Sequence, residues 1–231
     1  MSSKTDLAIV GWHDGGAGQI EAWLTNDPLI DVKCFVNPLD KAIVVDVTKI
    51  DRDAKQFSYP KGTSFKGKPL LNGEDWPEQL LKNGVKEVLI TTPNLLERHA
   101  QIVQARRVGL TLFSAIHPSA QIAEDALLGE NLLIYPRVFI GYRTEIQNGV
   151  SVNTGSQIDH HNVIRDCVAL DPGVITAGNV TIGEYSQIHT GAVIINRLRI
   201  GKNATVGAGA VVIKDVKDGA KMVGVPAREI S

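Results

Sequence analysis

The chain has 231 residues, with 24 basic and 25 acidic side chains and a formal net charge of −1. This balance gives no indication of a nucleic-acid or anionic-membrane partner, and no apolar run approaches the roughly 18 residues of a membrane span. The N-terminus lacks the apolar stretch of a signal peptide. Cys34 and Cys167 have neither CxxC nor zinc-ribbon spacing. We therefore expect a cytoplasmic protein of one or two domains, without a structural metal.

Residues 1–114 are predicted to form an α/β domain. Apolar runs that read as strands alternate with segments of helical spacing, and a polar connector rich in Pro and Gly separates the second strand from the next helix. Such alternation predicts βαβ units and a parallel sheet with covered faces, here about half of a full dinucleotide-binding fold. The predicted strands are 7–11, 30–37, 85–91 and 111–116, and the predicted helices are 19–26, 76–84 and 95–109.

The glycine-rich segment VGWHDGGAG follows the first strand and opens a helix. Its N–H groups and the helix dipole predict an anion site, although close strand–helix packing alone would also explain the glycines. The spacing departs from GxGxxG, which favours a nucleotide-sugar diphosphate over NAD. The candidate binding residues of this segment are Gly11, Trp12, His13, Gly15 and Gly16.

Two asparagines mark the carboxyl ends of the predicted strands. Asn37 ends the second strand, where a dinucleotide binder often has an acid for the ribose. Asn94 follows the third strand in the segment TTPNLLER. Because the carboxyl ends of parallel strands meet at one edge, both are candidate substrate-binding residues.

From Ile116 onward the sequence has a period of six. Every sixth residue from Ile116 to Val212 is Ile, Leu or Val except Thr176, and the residue four places later is often small or β-branched. A six-residue repeat is typical of a parallel β-helix, in which the aliphatic side chains stack in an inner column. Residues 115–231 are therefore predicted to form a β-helix domain.

The pattern Ile-Gly-x-x-small-x and the closing segment VGVPAREI (223–230) resemble the left-handed β-helix of hexapeptide-repeat acyltransferases. Together with the Rossmann-like half, the chain resembles the sialic acid O-acetyltransferase and UDP-4-amino-sugar N-acetyltransferase family. The resemblance implies a homotrimer with shared active sites, an acyl-CoA donor such as acetyl-CoA, and a role in glycan biosynthesis. It also implies that the first half binds the nucleotide and directs its sugar towards the β-helix.

The segment GSQIDHHNVI holds the candidate catalytic residues. Three hexads make one coil of about 18 residues and about 4.8 Å height, so Gly178 is predicted to stack on His160. The resemblance implies that His160 is the general base, and Gly178 would offer a backbone N–H to the developing oxyanion. Asp159 is expected to hold the imidazole in the useful tautomer. A solvated polar corner is the alternative.

Further roles are implied by the resemblance. Asn153 matches a position that lines the acceptor pocket, and His161 stands where close relatives tend to carry an acid. Ala169 replaces a second histidine that can contact acetyl-CoA in the family. Acyl-CoA contacts are therefore expected from Gly178, Thr190 and Ala208.

A metal site of the γ-carbonic anhydrase type is the weaker alternative. It would use His160, His161 and His189 as three imidazole ligands. Adjacent histidines rarely reach one ion from a tight turn, and His189 is expected on another face of the prism, so no metal is predicted.

The function expected from the sequence is acyl-CoA-dependent N-acylation of a nucleotide-linked amino sugar by direct transfer. Two alternatives stay open. One is an O-acetyltransferase of a free sugar such as sialic acid, which would leave the nucleotide loop without a purpose. The other is a catalytically inactive β-helix binding protein, which the departures at His161 and Ala169 favour.

Overall fold

The computed structural model describes residues 4–11, 14–38 and 63–230. The chain divides into two compact units, Met1–Phe113 and Ser114–Ser231. In the part of the chain just defined, no helix is long and apolar enough to cross a membrane.

The first unit is a mainly parallel sheet with helical connections. Its strands follow the order β3-β4-β2-β1-β5-β6, and β3 and β4 form an antiparallel hairpin. The central strands β1 and β5 are buried on both faces, as parallel sheets require. The elements are β1 (Thr5–Val10), a π-helical segment (Asp14–Gly18), α1 (Gln19–Leu24), β2 (Ile30–Asn37), β3 (Ser64–Phe65), β4 (Lys68–Asn72), α2 (Trp76–Lys82), β5 (Glu87–Ile90), α3 (Leu95–Arg107) and β6 (Thr111–Leu112).

Three details differ from the sequence expectation. The helical region begins before the predicted residue 19, because Asp14–Gly18 is already helical and runs into α1. The hairpin of β3 and β4 lies in the stretch that was predicted to be a connector. The expected strand 111–116 is two strands, since β6 pairs with β5 whereas the next strand, Ala115–Ile116, belongs to the second unit.

The second unit is a prism whose three faces are parallel sheets. From Ala115 to Val212, residues that pair between strands are 18 positions apart, as Leu133 and Ser151 are. The first face contains β7 (Ala115–Ile116), β10 (Leu133–Ile134), β13 (Ser151–Val152), β16 (Ala169–Leu170), β19 (Gln187–Ile188), β22 (Thr205–Val206), β24 (Lys221–Val223) and the antiparallel β25 (Arg228–Ile230).

The second face contains β8 (Gln121–Ile122), β11 (Phe139–Ile140), β14 (Gln157–Ile158), β17 (Ile175–Thr176), β20 (Val193–Ile194) and β23 (Val211–Val212). The third face contains β9 (Leu127–Leu128), β12 (Glu145–Ile146), β15 (Val163–Ile164), β18 (Thr181–Ile182) and β21 (Arg199–Ile200). We call the turns from the first to the second face the first corner, those from the second to the third face the second corner, and those from the third to the first face the third corner.

The predicted aliphatic column is the core of this unit. Side chains from Ile134 to Val212 at the six-residue spacing are buried. Thr176 is the polar exception, and its Oγ1 is buried without a hydrogen-bond partner. Each turn also has a residue in the left-handed conformation, at every sixth position from Asn131 to Gly209. Non-glycine residues occupy many of these positions, which the sequence pattern did not predict.

Replacing Thr176 with valine is expected to stabilise the second unit. The change removes an unsatisfied buried hydroxyl and keeps the side-chain shape, so the free energy of unfolding should rise by about 1 kcal/mol. Denaturant titration of the full-length protein measures this difference. Ile194→Thr places a hydroxyl one coil further along the same column and should lower the free energy of unfolding by about 2 kcal/mol. A lower stability of Thr176→Val would contradict this account of the column.

Candidate active site

The turn with the adjacent histidines lies at the second corner, between β14 and β15. Two inward side chains hold it from the core. The carbonyl of Asp159 accepts hydrogen bonds from Thr144 Oγ1 at 2.7 Å and from Asn162 Nδ2 at 2.6 Å. Asn162 is fully buried, and its Oδ1 accepts from the N–H of Val180 one coil later at 2.9 Å. The turn is therefore fixed from both its own coil and its neighbours.

The imidazole of His160 lies against Gly178, as the 18-residue stacking predicts. A Cβ atom on Gly178 would overlap with Cε1 and Nε2 of the ring, so the glycine provides the space that the ring occupies. The Nε2 atom of His160 has no hydrogen-bond partner among residues 4–11, 14–38 and 63–230. It is thus available to a reacting group.

Gly178 is buried in the single chain. Its backbone N–H makes no hydrogen bond within the described ranges. The expected donor is thus uncommitted, although the residue is less open than the sequence suggested.

The partner of the His160 ring is His161 and not Asp159. The two Nδ1 atoms are 3.0 Å apart. Asp159 uses Oδ1 to accept from the backbone N–H of His160 at 2.8 Å, so its predicted role as the orienting carboxylate is wrong. The reason is geometric. The Asp159 carboxylate caps the turn that begins at Asp159, and the His160 ring faces the ring of His161 instead.

His161 is held in the left-handed region, with a φ of 55°. This conformation is uncommon for a residue with a side chain, but histidine adopts it more readily than most. The His161 ring also contacts Tyr142 edge to face, with 5.4 Å between the ring centroids. Tyr142 fixes His161 from the preceding coil.

Sequence reasoning missed Tyr142 and its neighbour Arg143. The guanidinium carbon of Arg143 lies 5.1 Å from the centroid of the Tyr142 ring. The Nε atom of Arg143 lies 3.9 Å from Oδ2 of Asp125. The signal was present, since Tyr142 precedes His160 by one 18-residue coil, as Gly178 follows it. These residues add a polar and aromatic surface below the two imidazoles.

The remaining predicted β-helix residues lie at a different corner. Asn153, Thr190 and Ala208 all belong to the first corner, whereas His160 and Gly178 belong to the second. The Oδ1 of Asn153 accepts from the N–H of Thr154 at 2.7 Å. One copy of the chain therefore does not bring these three residues to His160.

The first unit places its candidates at the carboxyl ends of β1, β2 and β5. Gly11 has a φ of 79°, and a Cβ there would overlap with Thr92, so close strand packing requires this glycine. Asn37 is buried at the end of β2. The Oδ1 of Asn94 caps α3 by accepting from the N–H groups of Leu96 and Glu97, both at 3.1 Å.

The other candidates of the glycine-rich segment are placed differently. Gly15 and Gly16 lie in the π-helical segment. Trp12 and His13 lie outside the described residues.

A buried polar cluster lies beside Gly11. Thr91 Oγ1 donates to the carbonyls of Val10 and Gly11, both at 3.0 Å. Arg98 is 4% exposed, and its Nε donates to the carbonyl of Thr92 at 2.8 Å. This cluster lies between β1 and β5, where the strand order reverses and where ligands of such sheets bind.

No group of three or more His, Cys, Asp or Glu side chains that could hold a metal occurs within the ranges that the structure describes.

Comparison with known proteins gives the same architecture. A family model described as "Bacterial transferase hexapeptide (six repeats)" matches residues 179–214. The chain is similar to PerB from Caulobacter crescentus, solved in complex with CoA and GDP-perosamine, with 25% identity, a TM-score of 0.80, and coverage of 98% of this chain and 97% of that chain. The predicted fold and the resemblance to hexapeptide-repeat sugar acyltransferases are confirmed.

Two further structures extend the comparison. The acetyltransferase domain of PglB from Neisseria gonorrhoeae, in complex with acetyl coenzyme A, is 26% identical with a TM-score of 0.76, over 99% of this chain and all (100%) of that chain. WeeI from Acinetobacter baumannii is 24% identical with a TM-score of 0.76, over 98% and 100% of the two chains, and supports the fold. The Rossmann-like unit followed by a left-handed β-helix is thus shared along the whole chain.

Loss of the Asn162 side chain is expected to loosen the turn that carries the histidines. Asn162→Ala removes two hydrogen bonds and leaves the buried N–H of Val180 without an acceptor, whereas the carbonyl of Asp159 keeps the bond from Thr144. The free energy of unfolding should therefore fall by about 2 kcal/mol. Asn162→Ser should recover part of this loss, because Ser186, at the equivalent position of its own turn, accepts from the N–H of Ala204 one coil later, as Asn162 does from Val180. Chemical denaturation of the three proteins compares them, and equal stabilities would show that these bonds contribute nothing net.

Proposed function

We propose that the protein is an acyl-CoA-dependent N-acyltransferase that transfers an acetyl group to a nucleotide-linked amino sugar. The observation that carries the proposal is the imidazole of His160, stacked on Gly178 with its Nε2 uncommitted. The chain-long similarity to PerB, whose structure holds CoA and GDP-perosamine, supports the substrate class. The similarity to the PglB acetyltransferase domain, solved with acetyl coenzyme A, supports the donor.

The proposed reaction is direct transfer. The sugar amine attacks the thioester carbonyl, a C–N bond forms, and the C–S bond of acetyl-CoA breaks. His160 Nε2 accepts the proton that the amine loses and returns it to the departing thiolate. The N–H of Gly178 donates a hydrogen bond to the carbonyl oxygen as it becomes negative. His161 sets the tautomer of His160, a role that the sequence had assigned to Asp159.

No acyl-enzyme is part of the proposed reaction. Cys34 illustrates why a thiol of the first unit is a poor nucleophile: burial raises the pKa of this thiol to about 11. Very little thiolate is therefore present at neutral pH. Buried thiols such as Cys34 and Cys167 are typical of a reducing compartment, which is consistent with the cytoplasmic location that we propose.

The first unit is proposed to bind the nucleotide. The carboxyl edge of its sheet gathers Gly11, Asn37 and the buried cluster of Thr92 and Arg98. A crevice at this reversal of strand order is the usual ligand site of open parallel sheets. Gly15, Gly16, Trp12 and His13 belong to the same proposed site by sequence position. Asn94 contributes through its amide N–H groups, because its carbonyl oxygen caps α3.

A homotrimer is the proposed assembly. The outward row of the second face carries Phe139, Ile175, Val193 and Val211 and contains no charged residue. Phe139 is 41% exposed and Ile175 is 39% exposed in one copy. A cyclic assembly about this face would bring the second corner of one copy to the first corner of the next. Asn153, Thr190 and Ala208 would then reach His160 of a partner.

Removal of the His160 imidazole is expected to reduce turnover strongly. His160→Ala should lower kcat by about 10²- to 10⁴-fold, because the amine loses its proton acceptor. Release of CoA thiol is measured with acetyl-CoA and a panel of amino-sugar nucleotides and free sugars. Near wild-type rates in His160→Ala would remove the proposed base. Transfer to a free sugar but to no nucleotide would favour O-acetylation, and inactivity of the wild-type protein with every acceptor would favour a binding protein.

Gly178→Ala serves as the matched geometric control for this test. The φ of Gly178 is not left-handed, so alanine acts through its added methyl group, which displaces the imidazole. The variant should lower kcat on its own by about tenfold or more. Because both changes act on the same ring, Gly178→Ala should add little in the His160→Ala background. Independent, additive losses would contradict the stacked arrangement.

Charge on the second face is expected to dissociate the assembly. Ile175→Glu places a carboxylate in the proposed interface and should convert trimers to monomers, measured by light scattering after gel filtration, with loss of activity. Leu127→Glu, on the third face, is the control: Leu127 is 66% exposed, and the substitution should leave the trimer intact. A trimeric Ile175→Glu variant would place the interface elsewhere.

A further inference from the structure

A second imidazole–carboxylate pair lies at the first corner, outside the residues assigned to proton transfer. His189 Nδ1 and Asp171 Oδ2 are 2.8 Å apart, on consecutive coils, with side chains 35% and 30% exposed. Neither side chain has another hydrogen-bond partner among the described residues. Because a carboxylate can only accept, the proton between them lies on Nδ1. When the ring is neutral, its Nε2 is an unpaired acceptor.

The first corner exposes main chain beside this pair. The third position of the first corner is glycine in four successive coils, Gly155, Gly173, Gly191 and Gly209, each with a φ between 66° and 71° and with open space where a Cβ would stand. The equivalent positions of the second corner carry Arg143, His161, Asn179 and Arg197 instead. A long, thin ligand can therefore approach the main chain along the first corner but not along the second.

The residue at position 169 suggests what the Asp171–His189 pair binds. The family resemblance allows a histidine there to contact the acyl donor, and this chain has Ala169, which is buried. Ala169 pairs with Gln187 of the next coil, and His189 follows two residues later. His189 therefore lies one coil later than Ala169 and two residues further along the chain, at the first corner. Thr190, expected to contact the acyl donor, is its direct neighbour.

The height of the pair along the prism also fits. His189 lies 29 residues after His160 in the sequence, which corresponds to about 8 Å along the axis at ordinary strand spacing. In a cyclic trimer whose axis parallels the prism, equivalent coils lie at equal heights. His189 of one copy would then lie about two coils beyond the reacting carbonyl at His160 of the next, beside the pantetheine arm of the donor.

We propose that Asp171 and His189 form a binding site for the acyl donor, in which His189 Nε2 accepts a hydrogen bond from an amide N–H of the pantetheine arm. This inference rests on the proposed function. His189 touches the donor, and Asp171 is a positioning residue that keeps the proton on Nδ1. The pair makes no bond to the reacting carbonyl, so it acts on donor affinity and not on the transfer step.

Calorimetric titration of the full-length trimer with CoA tests the proposal. His189→Ala should weaken CoA binding by about five- to tenfold, as expected for the loss of one hydrogen bond in a partly buried site. His189→Gln, whose amide oxygen can replace the Nε2 acceptor, should bind CoA nearly as wild type does. Asp171→Ala should weaken binding by about threefold, and Asp171→Asn should restore it, since its amide oxygen still accepts from Nδ1–H.

His117→Ala is the matched control. His117 occupies the same corner position four coils earlier, about 19 Å away along the axis, and its loss should leave CoA affinity unchanged. In turnover assays, His189→Ala should raise the KM for acetyl-CoA and leave kcat and the KM of the acceptor within about twofold. Wild-type affinity in His189→Ala, or a loss confined to kcat, would overturn this inference alone. Absence of CoA binding by the wild-type protein would overturn the proposed function as well.

Discussion

The second unit depends on main-chain hydrogen bonds between coils that are 18 residues apart. The strands are two residues long, so each pair of strands contributes little by itself, and the ladder holds because it repeats without interruption from β7 to β23. One inserted or deleted residue would turn the aliphatic column outward on every later coil. The same register places Gly178 on His160, and it places Tyr142 one coil before His160, where its ring contacts His161. The candidate active site is therefore a product of stacking and not of local sequence alone.

Different side chains of the second corner hold the turn in place and face possible ligands. Side chains that point inwards, such as Thr144 and Asn162, bond the carbonyl of Asp159 and fix the turn. Side chains that point outwards, His160 and His161, are left to interact with each other and with ligands. This division explains how a rigid scaffold can hold an imidazole with one committed nitrogen and one free nitrogen. Two imidazoles in contact also differ from an imidazole and a carboxylate, because their pairing is possible without a formal charge.

Much of this architecture could be predicted from the sequence, because the six-residue period and the strand–helix alternation are strong signals. The stacking of His160 on Gly178 could be predicted because the two residues are three six-residue repeats apart. The period could not predict how Asp159 is used, since a carboxylate beside a turn can cap the backbone or orient a ring. It also did not predict the left-handed conformation of residues such as His161, Cys167 and Tyr185, because the coil geometry imposes this conformation whatever the side chain.

The proposed chemistry requires that His160 present an unprotonated Nε2 beside Gly178, with its Nδ1 proton shared with His161. Nitrogen-15 NMR of histidine-labelled protein near neutral pH measures the tautomer directly, with the signal of residue 160 assigned from a His160→Gln sample. We expect Nε2 of His160 to resonate as an acceptor nitrogen and Nδ1 as a protonated one. A protonated Nε2 in the neutral ring would rule out His160 as the base, because Nε2 would then have no lone pair to offer to the attacking amine.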